Sequence, residues 1–246
     1  MVNIRCQDMT FSGIEAIIFD KDGTLADSES FLRNLGQRRS RLIDAKIPGV
    51  QEPLLMAFGI EGDRINLAGL MAIGTRRDNE IASAAYVAET GRDWIESLQL
   101  VQAAFAEADR YVPHKADHTP PFADSLDTLQ RLAIAGVKLG ILSADTSDNV
   151  LNFVKRYDLQ DYLQLSMGID DGPGKPDPGL LHQACSALNV SPQATLMVGD
   201  SIADVQMAVS AQVAGCIAIV RGRTDLESLK QANVLINQLN EIQICA

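Results

Sequence analysis

Ile14-Glu15-Ala16-Ile17-Ile18-Phe19-Asp20-Lys21-Asp22-Gly23-Thr24-Leu25 is the stretch whose reading decides the fold. Its first half is an apolar, β-branched run of strand length, and the Asp-Gly that follows marks a sharp turn. Residues i and i+2 of an extended chain project to one side, so Asp20 and Asp22 can face one reaction centre. That centre would lie at the carboxyl end of the strand, where open α/β sheets bind their ligands. Two acids held together repel unless a cation joins them, which makes a metal ion the economical explanation.

Working outward, the segment after Pro121 alternates helix and strand. The patterns predict helices over 122–135, 147–157, 178–188 and 202–212, and strands over 137–142, 163–167, 194–198 and 216–220. Gly136 stops the first of these helices, and Asp177 with Pro178 starts the third as N-cap and first helical residue. Strands alternating with helices of this length imply an α/β fold with a Rossmann-like parallel sheet covered on both faces. Between the first strand and the rest, residues 30–111 carry apolar positions at three- and four-residue spacing, the mark of packed amphipathic helices. Leu67, Leu70 and Met71 form one such pattern, and Ile95, Leu98 and Val101 another. The aperiodic, proline-containing stretch from Pro113 to Pro121 is a connector. The expected organisation is a core domain over 1–28 and 117–246, with an α-helical cap domain over 29–116 inserted into it.

Composition narrows the function. With 246 residues, 46% hydrophobic and 22% charged, the chain has the make-up of a soluble globular protein with a substantial core. No basic-then-apolar leader and no apolar run of bilayer length is present, so a cytoplasmic location without a membrane partner is expected. The four cysteines are scattered without a CxxC pair, which suggests neither a zinc site nor a disulfide framework. A formal net charge of -11 repels nucleic acid, and no basic run with interleaved aromatics offsets it. An anionic substrate would have to be attracted locally, by a metal and a few placed cations.

Four polar features end predicted strands or the loops beyond them. Asp20 and Asp22 follow the first strand and Ser143 the second. Lys175 stands in the Gly-Pro-rich loop 171–178, and Asp200 ends a later strand, with Asp204 one helical turn on. The carboxyl ends of parallel strands share one edge, so these groups can converge. A hydroxyl and an ammonium suit phosphate oxygens, and the carboxylates of Asp20 and Asp200 suit Mg²⁺. A carboxylate can also attack phosphorus, and a second carboxyl can shuttle the protons.

The order Asp-x-Asp-Gly-Thr, Ser, Lys-Pro, Gly-Asp-Ser-x-x-Asp resembles the haloacid dehalogenase superfamily, specifically its helical-cap phosphatases of the phosphoglycolate phosphatase type. The resemblance covers nearly all of the core, and the cap matches in helical character and position. It implies a Mg²⁺-dependent phosphatase that hydrolyses a small phosphorylated metabolite, phosphoglycolate-like or a sugar phosphate, through an aspartyl-phosphate. Asp20 would be the nucleophile and Asp22 the general acid and base. Ser143 and Lys175 would hold the phosphate, with Thr24 and Ala144 beside them. Asp20, the backbone carbonyl of Asp22, and Asp200 would bind Mg²⁺, with Asp204 supporting the metal or Lys175. The cap would close over the site, and Arg76 or Arg77, in a break between cap helices, would grip the substrate. The chain would act as a monomer or homodimer. The alternatives are a phosphomutase of the β-phosphoglucomutase type and a non-catalytic phosphate-binding regulator.

Two departures from the family pattern stand out. Lys21 occupies a position that is usually apolar, and alternation is expected to turn it away from the site. Asp145, two residues after Ser143, would repel a bound phosphate unless it turns outward. His114 and His118 have metal-ligand spacing, but the surrounding prolines argue against the helix it needs, so they are read as hinge residues. Trp94 and Tyr86 are expected in the cap core.

Overall fold

The computed structural model describes residues 1–66, 68–112, 114–222 and 226–245. Leu67, counted in one cap pattern, and Pro113, at the head of the connector, lie outside the described residues. The chain opens with β1 (Val2–Cys6) and β2 (Met9–Ile14), and runs through Glu15 into β3 (Ala16–Phe19). There follow α1 (Glu29–Asp44), α2 (Gln51–Phe58), the short strands β4 (Ile60–Glu61) and β5 (Arg64–Ile65), α3 (Leu70–Ile73), α4 (Arg76–Glu89) and α5 (Trp94–Arg110). Next come α6 (Ser125–Ile134), β6 (Lys138–Leu142), α7 (Ser147–Arg156), β7 (Leu165–Met167) and α8 (Pro178–Leu188). The chain finishes with β8 (Thr195–Gly199), α9 (Ile202–Ala211), β9 (Gly215–Ile219), β10 (Val234–Ile236) and β11 (Gln243–Cys245). Two compact units result: Met1–Asp27 with Thr119–Ala246, and Ser28–His118.

In the first unit, described strands pair in the order β10-β9-β8-β3-β6-β7, all parallel. All four residues of β3 are buried, as a central strand covered on both faces requires. From β3 the chain builds β6 and β7 to one side, then crosses through α8 to β8 and builds β9 and β10 to the other. The strand order therefore reverses at β3, the position where such sheets form a ligand crevice. Ile18, Met197, Leu181, Val205 and Ala218 belong to one buried cluster, which packs α8 and α9 on this sheet. Two expected helix stops are in place: Asp177 accepts from the Gly179 N–H at the start of α8, and Gly136 follows α6 in the left-handed region.

A second, antiparallel sheet, β11-β1-β2, was not legible as such; residues before Ile14 read as a mere lead. Cys6 pairs with Met9, so the hairpin turn is Gln7-Asp8, with Gln7 at φ 52°. No glycine or asparagine marks it, and the usual hairpin signal is missing. Ile14 accordingly ends β2, and the parallel strand begins at Ala16.

The second unit is mainly helical. Phe58, Leu54, Val101, Phe105, Ala84 and Val87 are buried together, and Tyr86 packs against their cluster. Trp94 is not core: it opens α5 with 45% of its surface exposed. No helix among the described residues is long and apolar enough to cross a membrane.

Candidate active site

The register of three neighbouring strands assembles the site. Phe19 on β3 pairs with Val198 on β8 and Ile141 on β6, so Asp20, Asp200 and Ser143 emerge from adjacent strand ends at nearly one level. The Asp20 N–H donates to the Val198 carbonyl at 2.8 Å, the last ladder bond before the chain turns. The turn is built on the Lys21 carbonyl, which accepts from the N–H groups of Thr24, Leu25 and Ala26.

Asp20, Asp200 and Asp204 are all buried, and ligand oxygens from the three lie within 4.8 Å of one another. Lys175 Nζ donates to Asp20 Oδ1 at 2.6 Å and to Asp204 Oδ1 at 2.7 Å. Asp204 has a second task. Its Oδ2 accepts from the Ser201 N–H at 3.2 Å and the Ser201 hydroxyl at 2.6 Å, closing a capping box at the start of α9. With both oxygens so engaged, Asp204 anchors Lys175. The sequence leaves metal or lysine open for this residue; it pairs with Lys175 and also belongs to the acidic cluster.

Burial first, then the acids Asp204 and Asp22, push the Asp20 carboxyl up to about 7, against the pull of Lys175. Burial would lower the Lys175 pKa, but Asp20 and Asp204 outweigh it and hold the ammonium above its ordinary value. One ammonium cannot balance three buried carboxylates. A divalent cation bound by hard oxygen donors would, so the residues present fit Mg²⁺. Gly23 shapes the same place. It has φ +85°, and a Cβ there would collide with the carboxylate of Asp200. Only glycine brings the Asp22-Gly23 backbone so close to that acid.

The other expected site residues fall as follows. The Ser143 hydroxyl is buried at the end of β6 and accepts the Asp145 N–H at 3.2 Å; Ala144 lies between them in the loop. Thr24, expected beside the phosphate, is fully buried. Its hydroxyl lies 3.5 Å from Asp200 Oδ1, at the edge of hydrogen-bonding reach, and its carbonyl accepts from Arg221. Asp22 is not part of the acidic cluster found among the described residues; its carboxylate lies 2.7 Å from Lys21 Nζ. Arg76 is paired within its own unit, whereas the Arg77 side chain is half exposed. Arg76 pairs with Asp109 and, at 3.0 Å, with Glu80; Arg77 reaches Glu80 at 3.6 Å. Thr75 and Asp78 form a capping box, so these arginines open α4 with acids of their own unit within reach. His118 stacks on Phe31 and is not in a metal cluster among the described residues.

Lys21 corrects a sequence expectation. It is not turned away: Nζ lies 2.7 Å from Asp22 Oδ1 and 3.1 Å from Asp145 Oδ2. Strand alternation fails because β3 ends at Phe19, and Lys21 already belongs to the turn. Asp145 likewise needs no outward swing, since an ammonium compensates it. Arg221 was missed altogether. It grips both oxygens of Asp124 at 2.9 and 2.7 Å, donates to the Thr24 carbonyl at 2.7 Å, and stacks on Phe122. Its signal was available: it lies just past the end of β9, at the same sheet edge as the acids.

The family model for haloacid dehalogenase-like hydrolases matches residues 14–212, most of the chain. A phosphoglycolate phosphatase of Chromobacterium violaceum is 27% identical over 237 residues, covering 95% of this chain and 97% of its own. That of Escherichia coli K12 is 27% identical over 240 residues, covering 94% and 92%. The crystal structure of a haloacid dehalogenase-like hydrolase from Bacteroides fragilis superposes with a TM-score of 0.67 at 22% identity, covering 93% of this chain and 99% of that one. That likeness speaks for the fold, and the family match runs from Ile14, at the end of β2, to Gln212, just past α9. By fold, motif order and family match together, this chain belongs to the haloacid dehalogenase-like hydrolases.

Proposed function

We propose that the chain is a Mg²⁺-dependent phosphatase of small phosphorylated metabolites, with phosphoglycolate the first substrate to try. The observation that carries the reading is Lys175 bridging Asp20 and Asp204 inside a buried acidic cluster with Asp200. Such an arrangement holds a carboxylate ready as nucleophile and a cation ready for a phosphoryl oxygen. The likeness to phosphoglycolate phosphatases over nearly the whole length supports it.

In this reading an Asp20 oxygen forms a bond to phosphorus while the ester P–O bond breaks. The electron pair leaves on the alkoxide, which takes a proton from the Asp22 carboxyl. Asp22, now a carboxylate, removes a proton from water; the water oxygen attacks the aspartyl-phosphate and its P–O bond to Asp20 breaks. Ser143 and Lys175 hold phosphoryl oxygens throughout, beside Ala144. Asp20, Asp200 and the Asp22 carbonyl would hold Mg²⁺, with Asp204 kept for Lys175. When bound, the ion supplies charge neutralisation for the transferring group. A cytoplasmic location is also proposed, which the free cysteines fit.

The test is phosphate release from phosphoglycolate and from p-nitrophenyl phosphate, with Mg²⁺ and with chelator. Turnover should require Mg²⁺, and Asp20→Asn should lower it roughly a thousandfold or more. Wild-type rates in D20N would overturn the reading. Isomerised sugar phosphate in place of free phosphate would indicate a mutase. Phosphate binding without turnover of any ester would indicate a regulator.

A further inference from the structure

We infer that Lys21 is a positioning residue: it straps the Asp22 carboxylate to Asp145, and so aligns the proton-transferring group with the loop that holds the phosphate. The inference rests on the reading above, in which Asp22 is the acid and base.

Lys21 is only 1% exposed, although it is a lysine in a turn. Lysines are almost never that buried unless their ammonium is paired. Here the ammonium lies between two carboxylates from different loops, Asp22 after β3 and Asp145 after β6, with the Phe153 ring 5.7 Å away. Neither end of the strap is loose. At the Lys21 end, three backbone N–H groups bind its carbonyl. At the other end, Asp145 Oδ1 accepts from the Thr146 N–H at 2.9 Å and from Asn149 Nδ2 at 2.7 Å. The Asp145 N–H in turn donates to the Ser143 hydroxyl.

One ammonium thus joins the Asp22 carboxyl to the 143–146 loop. A turn carboxylate such as Asp22 has more than one staggered rotamer open to it, and the ammonium selects among them. Proton transfer to a leaving oxygen requires one of them, within hydrogen-bonding reach. Lys21 also compensates the acid at 145, whose charge would otherwise oppose an anion in the same loop. Lysine at 21 and aspartate at 145 are therefore one device.

The test compares wild type, Lys21→Met and the double variant K21M/D145N. The double variant removes the Asp145 charge along with the ammonium and so does not leave that acid beside the lost lysine. In single-turnover experiments the proposal expects Asp20 phosphorylation by an alkyl phosphate to slow by about tenfold to a hundredfold. Phosphorylation by p-nitrophenyl phosphate, whose leaving group needs no proton, should change far less. A merely structural role would slow both alike, and equal slowing, or none, overturns the proposal. Crystal structures of wild type and K21M/D145N give an independent reading. The Asp22 carboxylate should sit on Lys21 Nζ in the first and rotate or spread over conformers in the second; an unmoved Asp22 overturns the proposal. Absence of turnover in wild type would defeat the parent reading, whereas the crystallographic comparison would still decide the role of Lys21.

Discussion

Asp204 satisfies α9 with one oxygen and Lys175 with the other, so a single side chain ties helix capping to the charge of the site. Such dual use is favoured because a buried polar group without a partner is costly. Burial acts on thiols too. It pushes Cys6 up to about 12 from an ordinary 9.0, with the nearby Glu241 adding to it, and burial likewise raises Cys216. The sign of the consequence follows from proton binding. Between about pH 9 and 12 the folded chain keeps the Cys6 proton that the unfolded chain gives up. Stability from this group is therefore complete below pH 9 and is lost as pH rises toward 12. Thermal melts over pH 8–11 should fall for wild type and fall less steeply for Cys6→Ala. Alkylation at pH 8.5 should reach Cys245, which is partly exposed, well before the buried Cys6, Cys185 and Cys216. Residue types at Asp20, Asp22, Ser143, Lys175 and Asp200 were readable in sequence because their chemistry is distinctive. The partners of Lys21 and Arg221 were not, since a lysine or arginine in a loop carries no mark of what it binds.

At the scale of elements, α8 and α9 both end on left-handed residues that are not glycine, Asn189 and Gln212. Asparagine tolerates that conformation; glutamine does so at a cost of about 1–2 kcal/mol. Gln212→Gly should remove the strain, less the entropy glycine adds to the unfolded chain, for a net gain of about 0.5–1 kcal/mol in denaturant melts. A loss of stability there would mean that the Gln212 side chain makes a contact worth more than the strain. Element type was legible wherever periodicity and punctuation agreed, as in α8, bracketed by Asp177 and Pro178. It was illegible in β1 and β2, whose turn lacks the residues such turns favour. Alternation likewise misled at Lys21, because the strand had already ended and a side-chain period of two has no meaning in a turn.

Across the whole molecule, a net charge of -11 sets the field that an anionic substrate meets on approach. Screening should weaken that repulsion. With Mg²⁺ saturating, kcat/KM for a phosphate ester should rise modestly as NaCl increases from low to physiological levels, with kcat little changed. A fall would mean that local cations dominate the encounter. The sheet order has a molecular consequence as well: the reversal at β3 puts Asp20 between the strands that carry Ser143 and Asp200.

By itself the sequence determined the alternating α/β pattern, the parallel sheet and the residue types that end its strands. Those follow from local periodicity and from side-chain chemistry, which each short window carries. Only the tertiary structure decided which oxygen meets which cation. Lys175 takes Asp20 and Asp204, Lys21 takes Asp22 and Asp145, and Arg221 takes Asp124 and the Thr24 carbonyl. Lys175 with Asp20, Lys21 with Asp145 and Arg221 with Thr24 stand more than a hundred residues apart; strand register and burial choose such partners, and no local window of sequence contains either.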